Sequence, residues 1–289
     1  MLKRFFSTIL FFLVSQSSSH AEAESEVTVM TFNVRYDAEG DKGTRDWKHR
    51  LPIIKEVFTS ASIIGVQEAL EHQVADLKKL APEYKYVGVG RDDGKSRGEY
   101  VPIFYDARIW KLEASGHFWL SDTPSKVASK SWGNGITRMC TWARLVDKKG
   151  KGIAVFNTHF DHRSSPSRIK SAELLIKKLG ERKFPQDPIV LLGDFNCRMS
   201  SKGMQTLLNA KKNGKSILLD SYAKLHPSKT GVFPQTFNRW KADANGSGKI
   251  DHVFTSPSLK LLKAEILNPE KNGAVASDHK PVRVSFEWK

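Results

Sequence analysis

The chain reads as an α/β protein of packed, mixed sheets with helices on the outside. Apolar runs of strand length recur from residue 27 to residue 288, amphipathic segments of helix length fall between several of them, and the last part turns strand-rich. No Pro-, Gly- or Ser-rich linker and no repeat on the scale of about 20 to 50 residues divides the sequence. Residues 24–289 are therefore expected to form one domain. Periodicity alone does not choose between two packed sheets and a doubly wound one.

In order, the apolar and β-branched run at 27–34 predicts a strand, the helical spacing at 47–58 a helix, Ile63-Ile64-Gly65-Val66 a buried strand and 70–80 an amphipathic helix. Strands are expected at 86–89, 101–105, 109–120, 138–146 and 153–159. A helix follows at 166–179, then the strand Pro188-Ile189-Val190-Leu191-Leu192, a helix at 202–210, and closing strands at 250–255, 259–267 and 282–288.

The first residues hold Lys3 and Arg4, then a short apolar stretch (Phe5-Phe6, Ile9 to Val14) and a Ser-rich tract ending in Ala21-Glu22-Ala23. This is the pattern of a secretory signal peptide over residues 1–23, too short to cross a bilayer, which takes roughly 20 apolar residues. The mature protein is expected to be secreted or periplasmic, monomeric and without a stable membrane anchor. Cys140 and Cys197, the only cysteines, are too few for a disulfide framework and lack zinc-site spacing; they read as two free thiols. The net charge of +15 suits a polyanionic partner, although lysine pairs such as Lys78-Lys79 and Lys177-Lys178 equally suit solubilising faces.

Chemistry concentrates where the apolar runs end. Thr31-Phe32-Asn33, Val66-Gln67-Glu68, Asn157-Thr158-His159, Gly193-Asp194-Phe195-Asn196, Ile250-Asp251-His252 and Ser277-Asp278-His279 place carboxylates, amides and imidazoles where strands leave a core. A carboxylate such as Glu68 beside a buried strand is costly unless paired or holding a metal. Asp194 and Asn196 alternate about Phe195, so both should face one side while Phe195 enters the core.

Taken in this order, the motifs resemble those of the endonuclease/exonuclease/phosphatase superfamily, whose relatives include deoxyribonuclease I, neutral sphingomyelinases, inositol polyphosphate 5-phosphatases and the nocturnin group. The similarity covers nearly all of the chain after the leader. Gly88 to Gly94, Gly98-Glu99-Tyr100 and Pro102 to Tyr105 resemble a secreted bacterial branch. The resemblance implies a four-layer α/β sandwich, two packed mixed sheets flanked by helices. It also implies a cofactor, Mg²⁺ or Mn²⁺, held by Glu68 with Asn33 and Asp278. In the same way it implies that His159 stabilises a phosphate, that Asp194 and Asn196 hold the attacking water, and that Asp251 orients His279. Whether His279 or Asp194 is the base stays open.

Further candidates for substrate contact are Arg138, Asp161, His162, Phe237 and Trp240. Arg138 could fork a phosphate or make a surface ion pair. Asp161 and His162 could widen the site or simply be solvated, and Phe237 and Trp240 could stack on a base or pack under their loop. Asp243 to Asp251 copies the start of a calcium EF-hand loop, but Phe254 stands where a bidentate Glu is required, so the segment reads as a Gly-rich turn delivering Asp251.

The expected function is a metal-dependent phosphodiester hydrolase acting by water attack on phosphorus, with nucleic acid as the substrate favoured by charge. A sphingomyelinase-like phospholipase C or an inositol or sugar phosphate phosphatase is the alternative, and a non-catalytic polyanion-binding module the second.

Overall fold

The computed structural model describes residues 26–289, so the expected leader at 1–23 lies outside the described residues. The chain begins with β1 (Val27–Asn33), α1 (Trp47–Phe58), β2 (Ile63–Gln67), α2 (Glu71–Leu80), β3 (Tyr84–Val87) and β4 (Ile103–Asp106). Next come β5 (Trp110–Trp119), β6 (Met139–Asp147), β7 (Gly152–His159), α3 (Ser165–Gly180), β8 (Ile189–Asp194) and α4 (Lys202–Leu208). A small ribbon, β9 (Lys211–Lys212) with β10 (Lys215–Ser216), leads to β11 (Leu219–Asp220), α5 (Ser221–Leu225) and β12 (Asp251–Thr255). The end holds β13 (Leu259–Ile266), a second ribbon of β14 (Glu270–Lys271) and β15 (Ala274–Val275), and β16 (Val282–Trp288).

Two six-stranded sheets result, ordered β13-β16-β1-β2-β4-β3 and β11-β12-β8-β7-β6-β5. Each has a single parallel pair at its centre, β1 with β2 and β7 with β8, joined through α1 and α3; all other neighbours are antiparallel. The four-layer sandwich implied by the resemblance is thus the observed architecture.

Alternation along the strands explains the layers. Val27 and Val29 of β1 enter the apolar layer between the sheets with Ile63, Val155, Val190, Leu192 and Val284, whereas Met30 and Phe32 face α1 and α2 with Ile54, Phe58 and Leu77. A third apolar layer packs Phe156, Leu191, Phe195 and Phe254 against Leu175 of α3 and Met204 of α4. At one end of the strands the inner layer turns polar. Gln67 Nε2 donates to Asn157 Oδ1 across the sheets at 2.7 Å, and Asn157 Nδ2 donates to the carbonyls of Val66 (2.7 Å) and Pro102 (2.8 Å). These buried amides are paired, as burial demands, and they form the floor of the candidate site.

Most expected elements appear with bounds moved by a few residues; β3 starts at Tyr84 rather than 86, and α4 ends at Leu208 rather than 210. The sequence reading missed β11, α5 and the two ribbons, β9 with β10 and β14 with β15. Cys140 and Cys197 are free and buried. No described helix is long and apolar enough to cross a membrane.

Candidate active site

The parallel pairs bring the motif residues together. In register, His159 stands beside Asp194 and Asp194 beside Asp251 on β7, β8 and β12. Gly193 allows this: with φ +154°, a Cβ there would meet the Thr158 carbonyl oxygen at 2.1 Å. From the other sheet, Asn33 ends β1 and Glu68 follows β2. Glu68 holds a left-handed backbone (φ +65°), as do Arg35 and Asn196, and for a glutamate this costs on the order of 1–3 kcal/mol. Asn33 Nδ2 steadies it, donating to Glu68 Oε1 at 2.8 Å and across the sheets to Asp194 Oδ2 at 3.1 Å.

His279 lies in the segment after β15. Its Nδ1 sits 3.0 and 3.2 Å from the two Asp251 oxygens, and its Nε2 is 3.8 Å from Asp194 Oδ2. Buried Thr236 aligns the pair: its hydroxyl accepts from the Ile250 and Asp251 N–H groups, while its carbonyl accepts from Lys280 N. Burial alone would lower the His279 pKa, but Asp251 and Asp194 reverse this and hold it well above the ordinary imidazole range. Burial, with Asp251 nearby, pushes Asp194 up to about 7. Burial and the Glu68 charge likewise raise Asp278.

His159 is pulled the other way, well below the usual imidazole value, by burial and then by Arg138 and Arg91. Its tautomer follows from Asn196, whose Nδ2 is anchored on the Phe160 carbonyl (3.1 Å) and faces His159 Nε2 at 3.1 Å. Nε2 therefore accepts, and the proton sits on Nδ1, which has no hydrogen-bond partner and lies 4.0 Å from Glu99 Oε2.

The cleft over these groups measures about 670 Å³. Glu68, His159, Asp194, Asn196, Asp278 and His279 line it, as do Arg138, His162 and Phe237; Asn33 and Asp251 support it from below. Arg138 is buried, its Nη2 meets His162 Nδ1 at 3.1 Å, and its Nε and Nη1 are unpartnered. It is therefore not a surface ion pair.

Two expectations need correction. Asp161 does not line the cleft: its Oδ1 accepts the Arg163 and Ser164 N–H groups (2.8 and 2.6 Å) in the turn before α3. Trp240 is likewise absent from the lining, its ring lying 5.6 Å from the Arg45 and 5.4 Å from the Arg50 guanidinium. Asn33 Oδ1 accepts from Arg35 N at 2.9 Å and keeps a second lone pair, while its Nδ2 aligns the carboxylates of Glu68 and Asp194. Conversely, the sequence reading assigned no role to Arg35, Tyr36, Arg91 or Glu99, all in the lining. Arg91 and Glu99 form a bidentate pair at 2.6 and 2.8 Å. The one signal for them was the run of glycines and charges from Gly88 to Gly98.

One carboxylate oxygen each from Glu68 and Asp194 and one nitrogen of His279 lie within 4.8 Å of one another. Hard oxygen donors crowded in one cleft, with Asp194 and Asp278 raised in pKa by burial first and then by neighbouring carboxylates, fit a divalent cation. The model of the Endonuclease/Exonuclease/phosphatase family matches residues 30–279.

The chain belongs to this family.

Its members are divalent-metal-dependent hydrolases of phosphoric esters, and the chain is one of these enzymes. A family protein from Bacteroides thetaiotaomicron is 32% identical with a TM-score of 0.82, over 92% of this chain and 99% of that one. One from Bacteroides vulgatus is 33% identical with a TM-score of 0.82, over 92% and 100%. The mannosyl-6-phosphatase of Bacteroides thetaiotaomicron is 33% identical with a TM-score of 0.79, over 91% and 100%. No curated protein matches the sequence.

Proposed function

We propose that the protein is a secreted, Mg²⁺-dependent phosphatase acting on the phosphate ester of a small, sugar-like molecule. The observation that carries this is Arg138: a buried guanidinium with two unpartnered nitrogens, held beside His159 in the wall of the cleft. Such a fork matches the oxygens of a phosphoryl group, and its nitrogens, buried without a partner, are costly until something accepts from them. The likeness to a mannosyl-6-phosphatase supports a sugar as the rest of the ester. The nucleic-acid reading keeps the charge of +15 in its favour. It loses one of its two expected stacking rings, because Trp240 lies against arginines outside the cleft lining, while Phe237 stays in the lining beside His279. Secretion rests on the leader at 1–23, whose removal would leave residues 24–289.

Glu68 and Asp194 would hold the cation, with Asp278 in the same cleft. When bound, it supplies charge neutralisation at the phosphoryl oxygens and lowers the pKa of nearby water. The chain's own residues do the rest. Asp251 keeps the His279 Nδ1 proton in place, leaving Nε2 to take a proton from the attacking water. Arg138 offers N–H donors to the phosphoryl oxygens, where charge builds up.

Turnover with Mg²⁺ should be measured on hexose 6-phosphates, inositol phosphates, sphingomyelin, DNA, RNA and bis(p-nitrophenyl) phosphate. The highest kcat/KM is expected on a sugar phosphate. A higher value on DNA or RNA would return the assignment to a nuclease.

A further inference from the structure

Beyond Phe237 and Ile250, which line both, the cleft has a neighbour: a hollow of about 470 Å³ walled by the 235–248 loop and Arg198. Its cations are Arg198, Arg239 and Lys241, and no Asp or Glu lines it. Among the described residues none of the three makes an ion pair, in contrast to Arg91, Arg144 and Arg283, which sit on carboxylates at 2.6 to 2.8 Å. Arg198 lies across Gly248, where a Cβ would meet its Nε at 3.1 Å, and Arg239 lies 5.7 Å from the Phe237 ring. Three exposed cations on one hollow with no carboxylate in its lining give it a positive field, and guanidinium and ammonium donors together suit a phosphate better than a single carboxylate.

We propose that this hollow is a second phosphate subsite, holding a second phosphate of the substrate while the first lies beside Glu68, Asp194 and His279. The assignment rests on the cleft being where the ester is cut. The second phosphate belongs either to a bisphosphorylated sugar or to the next residue of a phosphodiester; the chemistry at the hollow is the same.

The test compares hexose 6-phosphate, hexose 1,6-bisphosphate and a 5′-phosphorylated dinucleotide as substrates of the wild type and of an Arg198→Gln/Arg239→Gln variant. Neither residue lines the catalytic cleft. For the wild type, KM should be about tenfold lower on whichever two-phosphate substrate fits, given charge-assisted hydrogen bonds. The variant should lose that advantage with kcat and the hexose 6-phosphate kinetics unchanged, and the arm that responds identifies the source. Equal KM values for one- and two-phosphate substrates, or a variant indistinguishable from wild type on all three, overturn the subsite. If the wild type hydrolyses none of them, the reading of the cleft fails instead. Calorimetric titration with inorganic phosphate then decides the hollow separately: two sites in the wild type and one in the variant support it, and equal stoichiometry refutes it.

Discussion

Asp194 lies between two imidazoles, with His159 Nε2 3.5 Å from its Oδ2 and His279 Nε2 3.8 Å from the same oxygen. One carboxylate faces two imidazoles of opposite inclination, His159 easily deprotonated and His279 reluctant to be. If His279 is the base, only its neutral form works, so kcat/KM should rise with pH. Asp251 and Asp194 hold the proton, which sets the midpoint of that limb above the ordinary 6.5. His279→Ala should lower the maximal rate by at least about a hundredfold and abolish the limb, whereas His162→Ala should keep it. A variant that retains both moves the base role to Asp194. Glu68→Gln keeps the size and removes the charge, so Mg²⁺ affinity by calorimetry and turnover should fall together. At this scale the sequence announced residues whose polarity contradicts their apolar surroundings: Glu68, Asp194, Asp251, Asp278 and His279. It concealed Arg91 and Glu99, because a charged residue in a glycine-rich loop looks solvated until the loop is seen folded over the cleft. It misjudged Asp161 and Trp240, whose partners are local backbone and distant arginines that no spacing reveals.

The strand that delivers Asp251 stands on a buried ion cluster. Lys249 Nζ meets Asp220 Oδ2 at 2.8 Å and His252 Nδ1 at 2.6 Å, His252 Nδ1 lies 2.7 Å from Asp220, and His252 Nε2 meets the Cys197 carbonyl at 3.0 Å. Burial opposes ionisation of both Asp220 and Lys249. It leaves the lysine below its usual pKa, but against the aspartate it is overcome by Lys249 and His252, which hold Asp220 far below the usual carboxylate range. The sign of its contribution to stability follows. It is fully present above pH about 4, where an unfolded aspartate is ionised, and is lost only as pH falls towards the lower folded value. Asp220→Asn strands the lysine without a countercharge, so it should cost about 3–5 kcal/mol in urea unfolding at neutral pH and remove that acid-side slope. Turnover should fall with it, since β12 carries Asp251. Apolar runs made most strands legible, and helical spacing gave α1 its bounds outright. β11 and α5 were invisible because two residues, Leu219 and Asp220, become a strand only by pairing with Thr255 and Phe254.

At the scale of the molecule the site is a seam, with Asn33 and Glu68 from one sheet facing His159, Asp194 and Asp251 from the other. Like charges crowd the seam, so a divalent cation should stabilise the whole fold. At a concentration about a hundred times Kd the gain is about 2.7 kcal/mol. Thermal melts with and without Mg²⁺ check this, and the Glu68→Gln melt should barely respond. Legibility was lowest here: the apolar pattern fitted one sheet as well as two, and only the order of the motifs, read by resemblance, selected the sandwich.

The sheet that contains β1 is interrupted by the entire second sheet. β1 to β4 span residues 27–106, β5 to β12 fill 110–255, and β16, whose Val282 to Phe286 pair with β1, comes at the very end. On that edge β1 therefore waits for β16, and pairings so distant in sequence form slowly. A chain stopped before residue 282 contains every candidate catalytic residue, from Asn33 to His279, yet lacks the strand between β1 and β13. Truncation at 281 should give a protein degraded in pulse proteolysis under conditions where the full chain survives. Assembly of this site should thus be timed by β16: with every candidate catalytic group already made, a seven-residue stretch is expected to decide when the seam closes.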